Sequence, residues 1–122
     1  MVRRGSKLAS TGLVLLLGLA LTGCGKDDNS TRDSTPVKIA VDVRGETVTP
    51  NGERVKVKRG QPIEFDVSAD GSGELHVHSE PAQSFKYKAG SSTFRLTPID
   101  IPGVVEVEEE DLGKVIVQLE VR

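Results

Sequence analysis

From Val37 to Arg122 apolar and polar side chains alternate with a period of two, in short runs separated by turn residues. That pattern puts one face of an extended chain in a core and the other in water, and it restricts the fold more than any single motif does. In VKIAVDV, Val37, Ile39, Val41 and Val43 alternate with Lys38, Ala40 and Asp42. RVKVK sets Val55 and Val57 against Arg54, Lys56 and Lys58, and PIEFDVSA puts Ile63, Phe65, Val67 and Ala69 on one side. SFKYK contributes Phe85 and Tyr87, TFRLT contributes Phe94 and Leu96, and KVIVQLEV places Val115, Val117, Leu119 and Val121 on one side. No window carries a helical stripe. The runs are divided by PNGE (50–53), KRGQP (58–62), ADGSG (69–73), KAGSS (88–92) and DIPG (100–103), where Gly, Pro, Asn and Asp suit a reversing chain. About eight short strands, each apolar on one face, pack best as two antiparallel sheets around one core, a β-sandwich. A single domain of this size, with no disulfide, has modest stability.

The segment before that domain reads differently. Arg3, Arg4 and Lys7 precede the apolar run LASTGLVLLLGLALTG, whose core is short for a transmembrane helix. A positive flank, a short apolar core and small residues make a secretory signal peptide over residues 1–23. LTGC, Leu21 to Cys24, looks like a bacterial lipobox, in which the cysteine takes a lipid and becomes the mature N-terminus. Cys24 is the sole cysteine, so the chain has no internal disulfide and no thiolate metal cluster. Residues 24–36 are then the lipidated cysteine and a polar linker, GKDDNSTRDSTP, and residues 37–122 the folded domain. A chain so anchored sits on the extracytoplasmic face of a bacterial cell membrane. Without residues 1–23, 13 Lys and Arg stand against 18 Asp and Glu, a net charge of −5. An acidic chain is poorly suited to a phosphate backbone, which argues against nucleic acid as a partner.

Several motifs, taken in order, resemble the cupredoxin family. VRGETVTPNGERVKVKRGQPIEFDVSAD is similar to the first half of that family, with VKVKRGQPIEF like its second and third strands. AGSSTFRLTPIDIPGVVEVE is similar to the stretch before its copper loop, and GKVIVQLEV to its closing strand. The likeness covers nearly all of residues 37–122 and looks closest to cupredoxin-like lipoprotein domains of actinobacteria that carry a His-x-His strand. It implies a Greek-key β-sandwich. It also implies where copper would bind: one His from the fourth strand, with Cys, His and Met from the loop before the last strand. Here that loop is VEVEEEDLGK, Val105 to Lys114, with none of the three, and Glu109 falls about where the thiolate would be. Without a thiolate the blue-copper ligand set is incomplete, which argues against electron transfer.

GELHVHSE contains the chain's two histidines. Alternation puts Leu75 and Val77 on the apolar side and Glu74, His76 and His78 on the other. Imidazoles at i and i+2 are close enough to meet one Cu(II), Zn(II) or Ni(II) ion, and Glu74 adds an oxygen; they are equally what a solvated strand face contains. In the acidic run Glu106, Glu108, Glu109, Glu110 and Asp111, the even positions alternate with Val105 and Val107 as a wet strand face. The resemblance makes a mixed site of Glu109 with the histidines a further option. Arg54, Lys56, Lys58 and Arg59 form a basic cluster opposite valines, either a solvated face or an attraction for anionic headgroups. Nothing suggests an enzyme: the thiol belongs to the anchor, Ser79 alternates away from His78, and the carboxylates lack a sugar platform. The expectation is a lipoprotein whose cupredoxin-like domain lacks a blue-copper site, needs no cofactor, and acts as a non-catalytic module for an envelope protein partner. The alternative is an envelope protein that binds Cu(II) or Zn(II) through His76 and His78.

Overall fold

The computed structural model describes residues 35–122. The signal peptide, Cys24 and most of the linker expected above lie outside the described residues. Nine strands follow one another: β1 (Val37–Arg44), β2 (Thr47–Thr49), β3 (Glu53–Val57), β4 (Ile63–Ala69), β5 (Gly73–Val77), β6 (Gln83–Tyr87), β7 (Gly90–Arg95), β8 (Gly103–Glu109) and β9 (Lys114–Val121). They form a four-stranded sheet in the order β2-β1-β4-β7 and a five-stranded sheet in the order β3-β9-β8-β5-β6. The all-β sandwich expected from the alternation is what the chain forms.

Two details differ from that expectation. The ninth strand is β2, three residues that fold back on β1 through Gly45, whose φ of 55° suits a tight turn. Its single buried side chain, Val48, is too short a signal for a period of two to register. The sheets are also mixed rather than antiparallel. β1 pairs parallel with β4 (Val37 opposite Ile63), and β3 pairs parallel with β9 (Glu53 opposite Val117). Alternation fixes which face of a strand is apolar and says nothing about the direction of its neighbour.

The inward faces meet in one core built on Phe65, Ile63, Leu75, Ile116, Leu119, Val41, Val77, Val107 and Val117, all essentially without solvent contact. Fully burying one such side chain contributes about 1.5–3 kcal/mol. The last strand reaches this core irregularly. β8 and β9 pair in register up to Val107 opposite Val117, and then Glu108 lies opposite Val115, so Ile116 is an extra residue. This β-bulge turns Ile116 and Val117 inward together and leaves Val115 only partly covered, displacing the simple odd-numbered face read from KVIVQLEV.

Outward faces carry cross-strand rows of polar side chains. On the four-stranded sheet Lys38, Glu64 and Arg95 are neighbours across β1, β4 and β7. Both cations lie 2.9 Å from the Glu64 carboxylate, which is why a glutamate can be almost completely covered there.

Candidate functional site

The residues singled out by the sequence lie on opposite faces of the five-stranded sheet. Leu75 and Val77 are fully buried, and His76 and His78 face outward, as the alternation requires. Their rings touch edge to face with centroids 4.6 Å apart. His76 Nδ1 lies 3.0 Å from Ser84 Oγ on β6, and His78 Nε2 lies 3.1 Å from Glu108 Oε2. The carboxylate brought to this pair is therefore Glu108, which faces His76 in the β5–β8 register. Glu74 shares their outward face but reaches toward Lys86 at 3.9 Å. Arg54, Gln118 and Glu106 continue the polar face through hydrogen bonds at 3.1 and 3.0 Å. Among the described residues, no three His, Cys, Asp or Glu side chains are placed to hold one metal ion.

Glu109 is elsewhere. It continues the inward series Val105, Val107, Glu109 of β8 and is 1% exposed, opposite Leu75 rather than His76. The sheet separates it from the histidines, so the two halves of the mixed site considered above are not brought together. The carboxylate is instead held by three donors. Tyr87 Oη and the Glu74 N–H donate to Oε1 at 2.8 and 3.2 Å, and the Leu112 N–H donates to Oε2 at 2.7 Å. Burial, and next the hydrogen bond to Glu109, push the Tyr87 hydroxyl well above its ordinary pKa. Gly73 makes room for this arrangement: a methyl group there would land on the Tyr87 hydroxyl and Glu109 Oε1. Beside the pair lies an open groove of about 390 Å³ whose charged lining residues are Glu74, Asp111, Lys86 and Lys88.

Of the stretch that the resemblance marked as the copper loop, Val105 to Lys114, the residues up to Glu109 belong to β8 and Lys114 to β9, and Glu110 to Gly113 form a four-residue turn between them. The Gly113 N–H donates to the Glu110 carbonyl at 3.2 Å, and Glu109 clips the turn from inside through Leu112. The donors at this place are carboxylates alone, the buried Glu109 held by three protein donors and the turn's Glu110 and Asp111, with no sulfur or imidazole. These residues do not fit a blue-copper ion.

No family model matches the sequence, and no curated protein matches it either. Solved structures do resemble the fold. An amicyanin mutant with Cu(I) superposes with a TM-score of 0.51 at 15% identity, over 70% of this chain and 82% of that one. A second, in the reduced Cu(I) form at pH 4, gives 0.52 at 13% identity over 74% and 87%. A third, oxidised, gives 0.51 at 14% identity over 70% and 82%. The domain has the cupredoxin fold. At these identities the likeness extends to the fold alone.

Proposed function

We propose that this chain is an extracytoplasmic lipoprotein, anchored through Cys24 to the outer face of a bacterial cell membrane, whose cupredoxin-fold domain is a non-catalytic binding or accessory module without a blue-copper site. The observation that carries the copper-deficient part of this reading is the β8–β9 turn, and the anchor rests on the LTGC motif. In the place where the resemblance expects Cys, His and Met, the chain has a tight hairpin clipped by the buried Glu109. Outward polar side chains form cross-strand rows such as Lys38–Glu64–Arg95 and Arg54–Gln118–Glu106, which suits a surface that is recognised rather than one that reacts. Two measurements test the reading. Mass spectrometry of the membrane-extracted protein is expected to find lipid on Cys24. Loading the protein with Cu(II) is expected to give no intense blue absorption, and a blue band would overturn the copper-deficient assignment.

A second reading is favoured by the contact between the His76 and His78 rings. Two adjacent imidazoles on an exposed face suit capture of Cu(II) or Zn(II) with open coordination positions. Calorimetric titration decides it. Binding at micromolar metal that disappears in H76A/H78A supports capture, and binding that is absent, or unchanged in that variant, ends it.

A further inference from the structure

Among the described residues two large apolar side chains are strongly exposed, Ile101 at 59% and Val104 at 51%. Both belong to one end of the sandwich. The β-ladder registers put the start of β1, the end of β3, the start of β4, the end of β7, the start of β8 and the end of β9 together there. The segment before Ile101 is fastened to the turn after β3: Gly60 N–H donates to the Ile99 carbonyl at 3.0 Å, and Arg59 Nε to the Asp100 carbonyl at 2.8 Å. The same turn receives the linker. Gln61 Nε2 donates to the Thr35 carbonyl at 3.0 Å, and Val37 N–H to the Pro62 carbonyl at 2.9 Å. An exposed apolar pair, two cations (Lys58 and Arg59) and the point where the chain arrives from Cys24 are thus brought to one end. The adjoining carboxylates are Asp100, whose side chain lies over Gly60, Glu120, which is opposite Val104 and paired with Arg122, and Glu80 near Ile99. The loops at the far end carry Glu46, Asp70, Glu110 and Asp111 against Lys88, with Lys114 at the start of β9 reaching the Glu46 carbonyl.

We propose that the linker-proximal end of the sandwich is a bilayer-docking surface, with Ile101 and Val104 entering the headgroup region of an anionic membrane and Lys58 and Arg59 meeting lipid phosphates. The proposal rests on Cys24 being the lipid anchor. Thr35 lies eleven positions after Cys24, so this end stays within roughly 40 Å of the bilayer even with the intervening chain extended. Tethering makes docking an intramolecular event, for which weak contacts suffice. Two side chains are far too little for a stable protein interface, which takes about 800 Å² per partner. They are enough for a shallow wedge flanked by cations. The far-end loops hold more net negative charge than this end, so the same surface repels them more, in the sense that the linker sets.

The chain has no tryptophan, so I101W in the full-length lipidated protein is a unique reporter. In vesicles of phosphatidylglycerol and phosphatidylcholine its emission is expected to shift to the blue and to be quenched by brominated acyl chains. E46W, at the far end, is expected to stay unquenched. Adding K58E/R59E to I101W is expected to lower the docked fraction on the order of tenfold. An unquenched I101W reporter in protein whose Cys24 carries lipid overturns the docking surface and leaves the anchor standing. Cys24 without lipid in membrane-extracted protein overturns both. A blue shift that needs no vesicles and grows with protein concentration assigns the surface to a second copy of the chain and overturns the proposal.

Discussion

Tyr87, Glu109 and Gly73 show how much one buried carboxylate asks of its neighbours. Each Glu109 oxygen is matched by a donor, and the absent side chain at Gly73 is part of the fit. Introducing a methyl there, G73A, overpacks the pair and is expected to cost about 1–3 kcal/mol, read as a lower urea midpoint at unchanged slope. Tyr87 is the sole tyrosine, so its ionisation is visible in the ultraviolet without interference. Its folded pKa is raised by burial first and Glu109 second. The associated stability is therefore complete below the unfolded value near 10 and is lost as pH rises toward the higher folded value. Tyrosinate absorbance is expected to stay absent at pH 10–11 and to appear together with alkaline unfolding; a simple titration near 10 in folded protein would contradict the buried pair. The position of Glu109 was legible in principle. Val105, Val107 and Glu109 have the same parity, so the alternation that puts the valines inside puts the glutamate inside with them. A run of five acidic residues hides this, because charge argues for a wet face when each residue is read alone. The donors that permit the burial come from β5, β6 and the β8–β9 turn, and no local pattern shows them.

At the scale of elements, faces were readable and irregularities were not. Leu75 and Val77 inward, with His76 and His78 outward, follow from parity alone. Ile116 does not, because the bulge arises from a two-against-one match between β8 and β9 that neither strand displays separately. The bulge has a direct consequence. I116A removes a fully buried side chain and is expected to cost about 2–5 kcal/mol, whereas V115A, at a partly covered position, is expected to cost under about 1 kcal/mol. Denaturant unfolding of the two variants distinguishes the bulged strand from a regular one, which would reverse the order. The row Lys38–Glu64–Arg95 makes a second element-level argument. Hydrogen bonds from Lys38 and then Arg95 hold the Glu64 carboxyl below the ordinary carboxylate range. Its contribution is therefore fully present above the unfolded value near 4.3 and is lost as pH falls through the lower folded value. In E64Q this part of the acid limb is expected to disappear, so that thermal stability falls less steeply with acid than in the parent. An unchanged acid limb would show that the row is too well solvated to matter.

Over the whole molecule, the parallel pairs make the two sheets depend on distant parts of the chain. Among the described strands β3 is paired with β9 alone, and β9 also holds β8 from the other side. The last strand therefore ties β3 to the rest of the five-stranded sheet, although it is the last to be read along the sequence. It also supplies Ile116, Val117, Leu119 and Val121 to the common core. Short-range patterning cannot rank strands in this way, because rank depends on neighbours and neighbours are set by topology. β2 is the opposite case, a three-residue edge bonded only to β1 with one buried valine. Disturbing the two strands is expected to have unequal results. V48T at the β2 edge is expected to lower stability by about 1–2 kcal/mol and leave the fold intact. Deleting residues 119–122 removes Leu119 and Val121 from the core and strips β3 of the partners of Val55 and Val57. Small domains have little stability in reserve, about 5–15 kcal/mol, so this loss is expected to abolish cooperative unfolding and the β-sheet circular dichroism together. A shortened chain that still unfolded in one sharp transition would mean that β8, β5 and β6, with the first half of β9, close the core without its last residues.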